Sequence, residues 1–284
     1  MPSTNYEEKP FLICKDHTVS GRFFELKKDE DLDLLVTHPR PEIEKLPEYY
    51  KSENYISHTD SKKTFFDKIY HLIRSYMLRK KLSWIKKAKK EKGNLLDIGA
   101  GTGDFLKEAK EQDWKISGVE PNTGAREIAY KKGVHLKADT SSFPSDHFDV
   151  ITMWHVLEHV PDLDIQIAEL DRLLKRDGLL VIAVPNYNSY DAILYKEFWA
   201  AYDVPRHLYH FSRHSIRKVF RKFSFKVCSE KGLPFDAFYV SLLSEKNRYG
   251  KSHPLKAFFN GLRSNLEARW TKEYSSIAYF IKKS

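Results

Sequence analysis

LLDIGAGTGDFL, residues 95–106, runs an apolar stretch into three alternate glycines, Gly99, Gly101 and Gly103, and leaves through Asp104, Phe105 and Leu106. The pattern predicts a strand ending near Asp97, a tight turn and a following helix. Glycine lets the backbone turn sharply and come close to a ligand with no Cβ in the way. The N-terminus of the next helix points free N–H groups at whatever sits there. The spacing is not G-x-x-x-x-G-K-[ST], so it is no P-loop. Position 104 is aspartate, so a G-x-G-x-x-G dinucleotide fingerprint fits poorly. Taken alone, such a turn is also found for packing reasons.

The flanking sequence repeats the strand–helix alternation. Residues 94–98, 115–119, 148–153 and 179–184 are short apolar runs bounded by turn signals, and HLKAD (135–139) reads as a further strand. Between them, Asp162–Lys175 has Leu163, Ile167, Leu170 and Leu174 on one face, Pro161 at its start and Gly178 just past its end. Residues 225–228 and 276–281 read as two late strands. This order predicts an α/β fold, a doubly wound, mainly parallel sheet with helices on both faces. Glu120 ends the second strand, where a carboxylate accepts from a ribose diol or is simply a solvated acid. Asp139 ends the third, facing an adenine amino group or capping a loop. Trp154 ends the fourth, against a purine face or in the core.

The chain has 284 residues and carries a net charge of +9, with 41% hydrophobic and 31% charged residues. That composition excludes wholesale disorder. No apolar run approaches the roughly 18 residues of a spanning helix, no signal-peptide stretch opens the chain, and two cysteines make no disulfide framework. The expected compartment is cytoplasmic. The positive charge sits in residues 58–93, net +9, and 240–284, net +6. The first of these reads as a helix through Phe65, Ile69, Leu72, Ile73 and Tyr76, with Lys86, Lys87, Lys89 and Lys90 at its polar end. A solvated face and a basic patch for nucleic acid or an anionic membrane are both open for that run.

Together, LDIGAGTGDF, GVEPN, the acid in KADTSSFP, FDVITMWHVLEHVPD and LLKRDGLLVIAVPN, in this order over residues 94–190, resemble the class I S-adenosylmethionine-dependent methyltransferases. The VLEHV segment is similar to the ubiquinone-biosynthesis O-methyltransferase type. The resemblance implies a Rossmann-like seven-stranded sheet whose last strand, 276–281, runs antiparallel. It also implies S-adenosylmethionine as cofactor. Asp97, Gly99, Ala100, Gly101, Gly103, Asp104 and Phe105 are expected toward its methionine end, and Glu120, with Pro121 and Asn122, at the ribose. Asp139 and Thr140 are expected at adenine, with Trp154 and His155 alongside. Residues 1–57 are expected as an N-terminal lobe, 58–93 as a basic linking helix, and 94–284 as the methyltransferase domain. The segments 186–215 and 240–272 are expected to cap the acceptor side.

The leader resembles that of a bacterial subset carrying a zinc ribbon, but Asp29–Asp33 stands where a cysteine pair is expected and no pair precedes Cys14. No structural zinc is expected, and Tyr49–His58 reads as a lid or as packing. His155, Glu158 and His159 fall at i, i+3 and i+4, and His207, His210 and His214 follow later. Three readings stay open for these: structural contacts, a general base and a divalent-metal cluster. The expected base is His207, with His155 and His159 behind it, and no metal is assigned. No [DN]-P-P-[YF] motif stands at the fourth strand, which argues against DNA amino-methylation. The expected reaction moves a methyl group to a small-molecule acceptor, a hydroxyl. A macromolecular acceptor such as RNA, and a cofactor-binding relative without turnover, are the alternatives.

Overall fold

A computed structural model describes residues 6–50 and 65–284. Along the central strands, alternate side chains go to opposite faces of one sheet, and both faces are covered. These strands are β4 (Asn94–Ile98), β5 (Lys115–Val119), β6 (Phe148–Trp154), β7 (Leu174–Pro185), β9 (Phe225–Gly232) and β10 (Ser276–Lys283). Leu96, Ile151, Leu180 and Ile182 face one side, and Leu95, Val150, Leu179 and Val181 the other. Burial on both faces is why these strands read as continuous apolar runs.

The strand order is β5-β4-β6-β7-β10-β9, with β10 antiparallel to both neighbours and the β5-β4-β6-β7 pairs parallel. One face is packed by α4 (Leu163–Leu173) and α6 (Arg213–Arg221), through Ile167, Leu170, Ile216 and Phe220. The other is packed by α1 (Phe65–Ala88) and α2 (Asp104–Glu111), through Leu82, Ile85, Phe105 and Leu106, with α3 (Thr123–Lys131) adding Ala129.

Two expectations need correction. Among the described residues the central sheet has six strands, not seven. HLKAD contributes one isolated bridge, Lys137 with Val119, held by the Glu120 and Lys137 amides. The chain then turns off the sheet edge at Asp139, whose carboxylate accepts the Ser141 amide at 3.0 Å. The helix expected over Asp162–Lys175, with Gly178 just past its end, stops at Leu173. Leu174 already begins β7, and Gly178 lies inside that strand, where a Cβ would collide with Leu174 and the Lys175 carbonyl. Asp162 caps the helix start, accepting from the Asp164 and Ile165 amides.

The N-terminal strands β1 (Leu12–Lys15), β2 (Phe23–Asp29) and β3 (Leu34–His38) form an antiparallel meander. Its fourth strand, β8 (Tyr209–His210), comes from the acceptor-side segment. Cys14, Phe24 and Leu26 share a core with Tyr195, Trp199 and Tyr202, beside α5 (Tyr190–Tyr195). Residues 6–38 and 187–210 are therefore built as one layer. Helices α7 (Pro234–Tyr249) and α8 (Pro254–Thr271) occupy the long connection from β9 to β10.

Candidate active site

Two cavities open beside the carboxyl ends of β4 and β6, where the chain order reverses across the sheet. Consecutive residues at the end of β6 divide them: Trp154 lines the first and His155 the second.

The first cavity, about 330 Å³, is ringed by the glycine loop, Glu120 and helix α1. Gly101 has φ +53°, and a Cβ built there meets nothing within 4 Å. It borders open space. Gly99 and Gly103 are close-packed instead: a Cβ at Gly99 would strike Val156, and one at Gly103 would press on Ala129 and Val134. Glu120 holds the loop's shape, because its two carboxylate oxygens accept the Gly101 amide at 2.9 Å and the Asn122 amide at 3.0 Å. Asn122 also caps α3 by accepting from the Ala125 amide.

Asp97 is buried and accepts the Thr152 hydroxyl at 2.6 Å. Burial pushes its carboxyl up to about 7, against the pull of that hydrogen bond and of Lys81. Lys81 reaches in from α1 with its Nζ 4.0 Å from the centroid of the Trp154 ring. Burial lowers its pKa, while Asp236 and Asp97 pull it back up. The Trp154 ring packs edge-on against Phe105, and its indole N–H is buried with no hydrogen-bond partner. Asp104 is engaged by Lys132 at 2.9 Å, by Arg74 and by the Thr102 hydroxyl.

Of the residues expected at a cofactor, Asp97, Gly99, Ala100, Gly101, Asp104 and Phe105 line this cavity. Glu120, Asn122 and Trp154 line it too. Gly103, Pro121, Asp139 and Thr140 do not, and His155 belongs to the second cavity. Asp139 is exposed and satisfied locally by the amide and hydroxyl of Ser141. Sequence reading missed Arg74, Met77, Leu78 and Lys81, all on the cavity wall. Their spacing of three, four and seven is one face of α1, a signal present within a stretch read as a basic helix but given no place at the site.

The second cavity, about 520 Å³, takes walls from β1, residues 197–207 and α7. His155 Nε2 lies 3.0 Å from Asp236, and its Nδ1 3.4 Å from Glu158. Burial opposes a charge on this imidazole, but the bonds to Asp236 and Glu158 win and carry its pKa up to about 9. His155 is thus protonated at neutral pH. Burial works against a charge on Glu158, but the His155 contact, with His207 and His159 nearby, holds its carboxyl below the usual range.

Glu158, His159 and His207 bring one ligand atom each to within 4.8 Å of one another. His207 Nδ1 faces the Ala201 carbonyl at 2.9 Å and His159 Nδ1 the Arg206 carbonyl at 3.1 Å. A carbonyl only accepts, so each Nδ1 carries the proton and each Nε2 keeps its lone pair. Burial and the neighbouring His207 drive the His159 pKa down to about 4. Such a group can accept a proton or hold a divalent cation. Of the wider histidine set, His210 is buried on β8 against the Thr37 hydroxyl and His214 is exposed on α6; neither lines this cavity. Tyr50 bonds His159 at 3.0 Å, while residues 51–58 of the expected lid lie outside the described residues. The caps expected at 240–272 reach the cavity only through α7; no residue of α8 lines it.

Residues 70–230 match the family model described as a methyltransferase domain, and the chain belongs to that family. It is similar to an uncharacterized protein of Methanocaldococcus jannaschii, 34% identical over 109 residues, covering 37% of this chain and 51% of that one. It is also similar to a ubiquinone biosynthesis O-methyltransferase of Haemophilus ducreyi, 32% identical over 107 residues, covering 32% of this chain and 45% of that one. The matches thus span about half the length of these relatives. Among solved structures, the fold is shared with the geranyl diphosphate C-methyltransferase of Streptomyces coelicolor, solved with Mg²⁺, geranyl diphosphate and S-adenosyl-L-homocysteine. The TM-score is 0.54 at 14% identity, covering 80% of this chain and 87% of that one.

Proposed function

We propose that this protein is an S-adenosylmethionine-dependent methyltransferase acting on the hydroxyl of a small molecule. The observation that carries the reading is the meeting of two unlike cavities at Trp154 and His155. The first offers a glycine-lined floor, a carboxylate at Glu120, a cation at Lys81 and an unsatisfied buried indole N–H. A buried donor without a partner is costly, and a ligand acceptor relieves it. These residues fit a nucleoside carrying an amino-acid tail. Glu120 takes the ribose hydroxyls and Gly101 leaves room for the bound group. Lys81 faces the tail's carboxylate, and the Trp154 N–H finds its acceptor on the ligand.

When bound, S-adenosylmethionine supplies an electron-poor methyl group on a sulfonium sulfur. The chain's task is then to hold the acceptor oxygen in line and to remove its proton. His207 Nε2 takes that proton, since its Nδ1 is already committed to the Ala201 carbonyl. His155 cannot, because it is already protonated, and serves as a fixed cation tying Glu158 to Asp236. His159 stands behind His207, with ring centroids 4.5 Å apart, and burial makes it a poor base. The similarity to a ubiquinone biosynthesis O-methyltransferase supports a phenol-type hydroxyl as the acceptor.

The test is a methyl-transfer assay across catechols, phenols, amines and RNA, with cofactor binding followed by calorimetry. Turnover on a phenolic hydroxyl supports the reading. Turnover confined to RNA, or cofactor binding with none on any class, refutes the small-molecule assignment.

A further inference from the structure

Helix α8 is packed the wrong way round for a soluble surface helix. Its small residues Ala257, Gly261, Ser264 and Ala268 are buried against the body of the protein. Phe238 of α7 stacks on Phe258 with centroids 5.5 Å apart, and its backbone runs within 3.0 Å of where a Gly261 Cβ would stand. The large apolar residues Leu255, Phe258, Phe259, Leu262, Leu266 and Trp270 point outward. Spacings of three and four put them in one stripe. Trp270 is 84% exposed, Leu255 78% and Phe259 63%. A contiguous apolar stripe of this kind marks an interaction site.

The charges around the stripe select its partner. Lys256, Arg263 and Arg269 lie on the helix and Lys272 caps it, against one acid, Glu267. Residues 240–284 as a whole carry nine basic and three acidic side chains. A second copy of the chain seated on this face would bring two surfaces of the same net positive charge together. A bilayer with anionic headgroups meets both features at once. Apolar and aromatic side chains enter the acyl boundary while lysine and arginine stay among the phosphates. No helix among the described residues is long and apolar enough to cross a membrane, so the contact is with one leaflet.

We infer that α8 docks this protein on an anionic lipid surface through the stripe from Leu255 to Trp270. The inference is independent of the chemistry proposed above. It gives the molecule an orientation, because α7, which carries α8, forms a wall of the second cavity through Asp236, Val240 and Leu243.

The test is co-sedimentation of the full chain with vesicles of phosphatidylcholine alone and of equal parts phosphatidylcholine and phosphatidylglycerol. Wild-type protein is expected to bind the mixed vesicles at least about tenfold more tightly, with binding that weakens as salt rises. Phe259→Ser with Trp270→Ser is expected to weaken binding about tenfold or more, since each removes a large apolar group that the bilayer would bury. Arg263→Gln with Arg269→Gln is expected to weaken binding to the mixed vesicles alone. Unchanged far-UV circular dichroism keeps these results clear of misfolding. Failure of wild type to sediment with mixed vesicles overturns the inference, as does wild-type binding by the serine variant. A wild-type dimer that the serine variant dissociates, with no vesicle binding, assigns the face to a second copy instead.

Discussion

The imidazole of His155 and the carboxylate of Asp236, 81 residues apart in sequence, stand 3.0 Å from each other and join the end of β6 to α7. His155 adopts φ +58°, a left-handed conformation uncommon outside glycine. The pair therefore fixes a residue that the backbone alone disfavours, at the boundary between the two cavities.

This pair makes folding stability depend on pH. The His155 pKa is raised to about 9 from its ordinary 6.5. Its stabilisation is fully present below about 6.5 and is lost as pH climbs through 9. The thermal midpoint of the wild type is expected to fall between pH 6.5 and 9.5. Asp236→Asn should start lower and fall less over that interval. Parallel curves for the two proteins would contradict the assignment.

Cofactor binding should hinge on open space at Gly101. Gly101→Val puts a branched side chain into the first cavity at a position with φ +53°, so calorimetry is expected to show no measurable affinity for S-adenosylmethionine. Asp97→Ala should abolish binding as well. Wild-type affinity in Gly101→Val would remove the cofactor from this cavity.

Lys81 should bind rather than catalyse. Lys81→Met keeps an unbranched side chain of similar reach and removes the ammonium that sits over the Trp154 ring. Affinity for the cofactor is expected to drop about 10–100-fold, the range of a hydrogen bond to a charged group. At saturating cofactor, kcat should stay within a few-fold of wild type. A large loss of kcat with affinity intact would make Lys81 part of the chemistry.

The base can be found by substitution. His207→Ala is expected to cost about 10²–10⁴ in turnover with cofactor affinity nearly intact. Wild-type turnover should rise with pH as the proton-accepting group is freed, and this rise should be absent from the variant. If His207→Ala, His155→Ala and His159→Ala all keep wild-type rates, positioning alone carries the reaction.

The cluster of Glu158, His159 and His207 can also be probed for a cation. Turnover is expected to survive extensive dialysis against EDTA, because the proposed step uses a proton acceptor alone. Loss of turnover that Mg²⁺ or Zn²⁺ restores would reassign all three side chains as ligands.

The glycine loop and the strands around it were readable because their constraints are local. Burial on both faces leaves apolar runs, and a ligand-lined turn leaves glycines at fixed offsets. Gly178 misled because the asymmetry of helix ends is statistical, and here a glycine inside β7 mimics a helix stop. Asp139 misled because its strand shrinks to one bridge, and its carboxylate folds back on Ser141. Asp236 left no trace in the sequence at all. Its role comes from α7 packing beside β6, a contact between segments with no shared periodicity. Glu158 and His207 were legible as candidates, but not their meeting, which comes with a contact between distant segments where the Leu208 amide donates to the Glu158 carbonyl at 2.8 Å.

The strand β8 has a consequence for anyone cutting or grafting this chain. It lends two residues to the N-terminal sheet, and the Thr37 hydroxyl donates to the His207 carbonyl at 2.6 Å. The first forty residues are therefore no detachable appendage. Deleting them would leave the residues around the first cavity standing while the loop bearing His207 lost its anchor. A chimera meant to exchange acceptor preference would have to move the leader and residues 186–215 together, as a single inheritance unit that the order of the chain conceals.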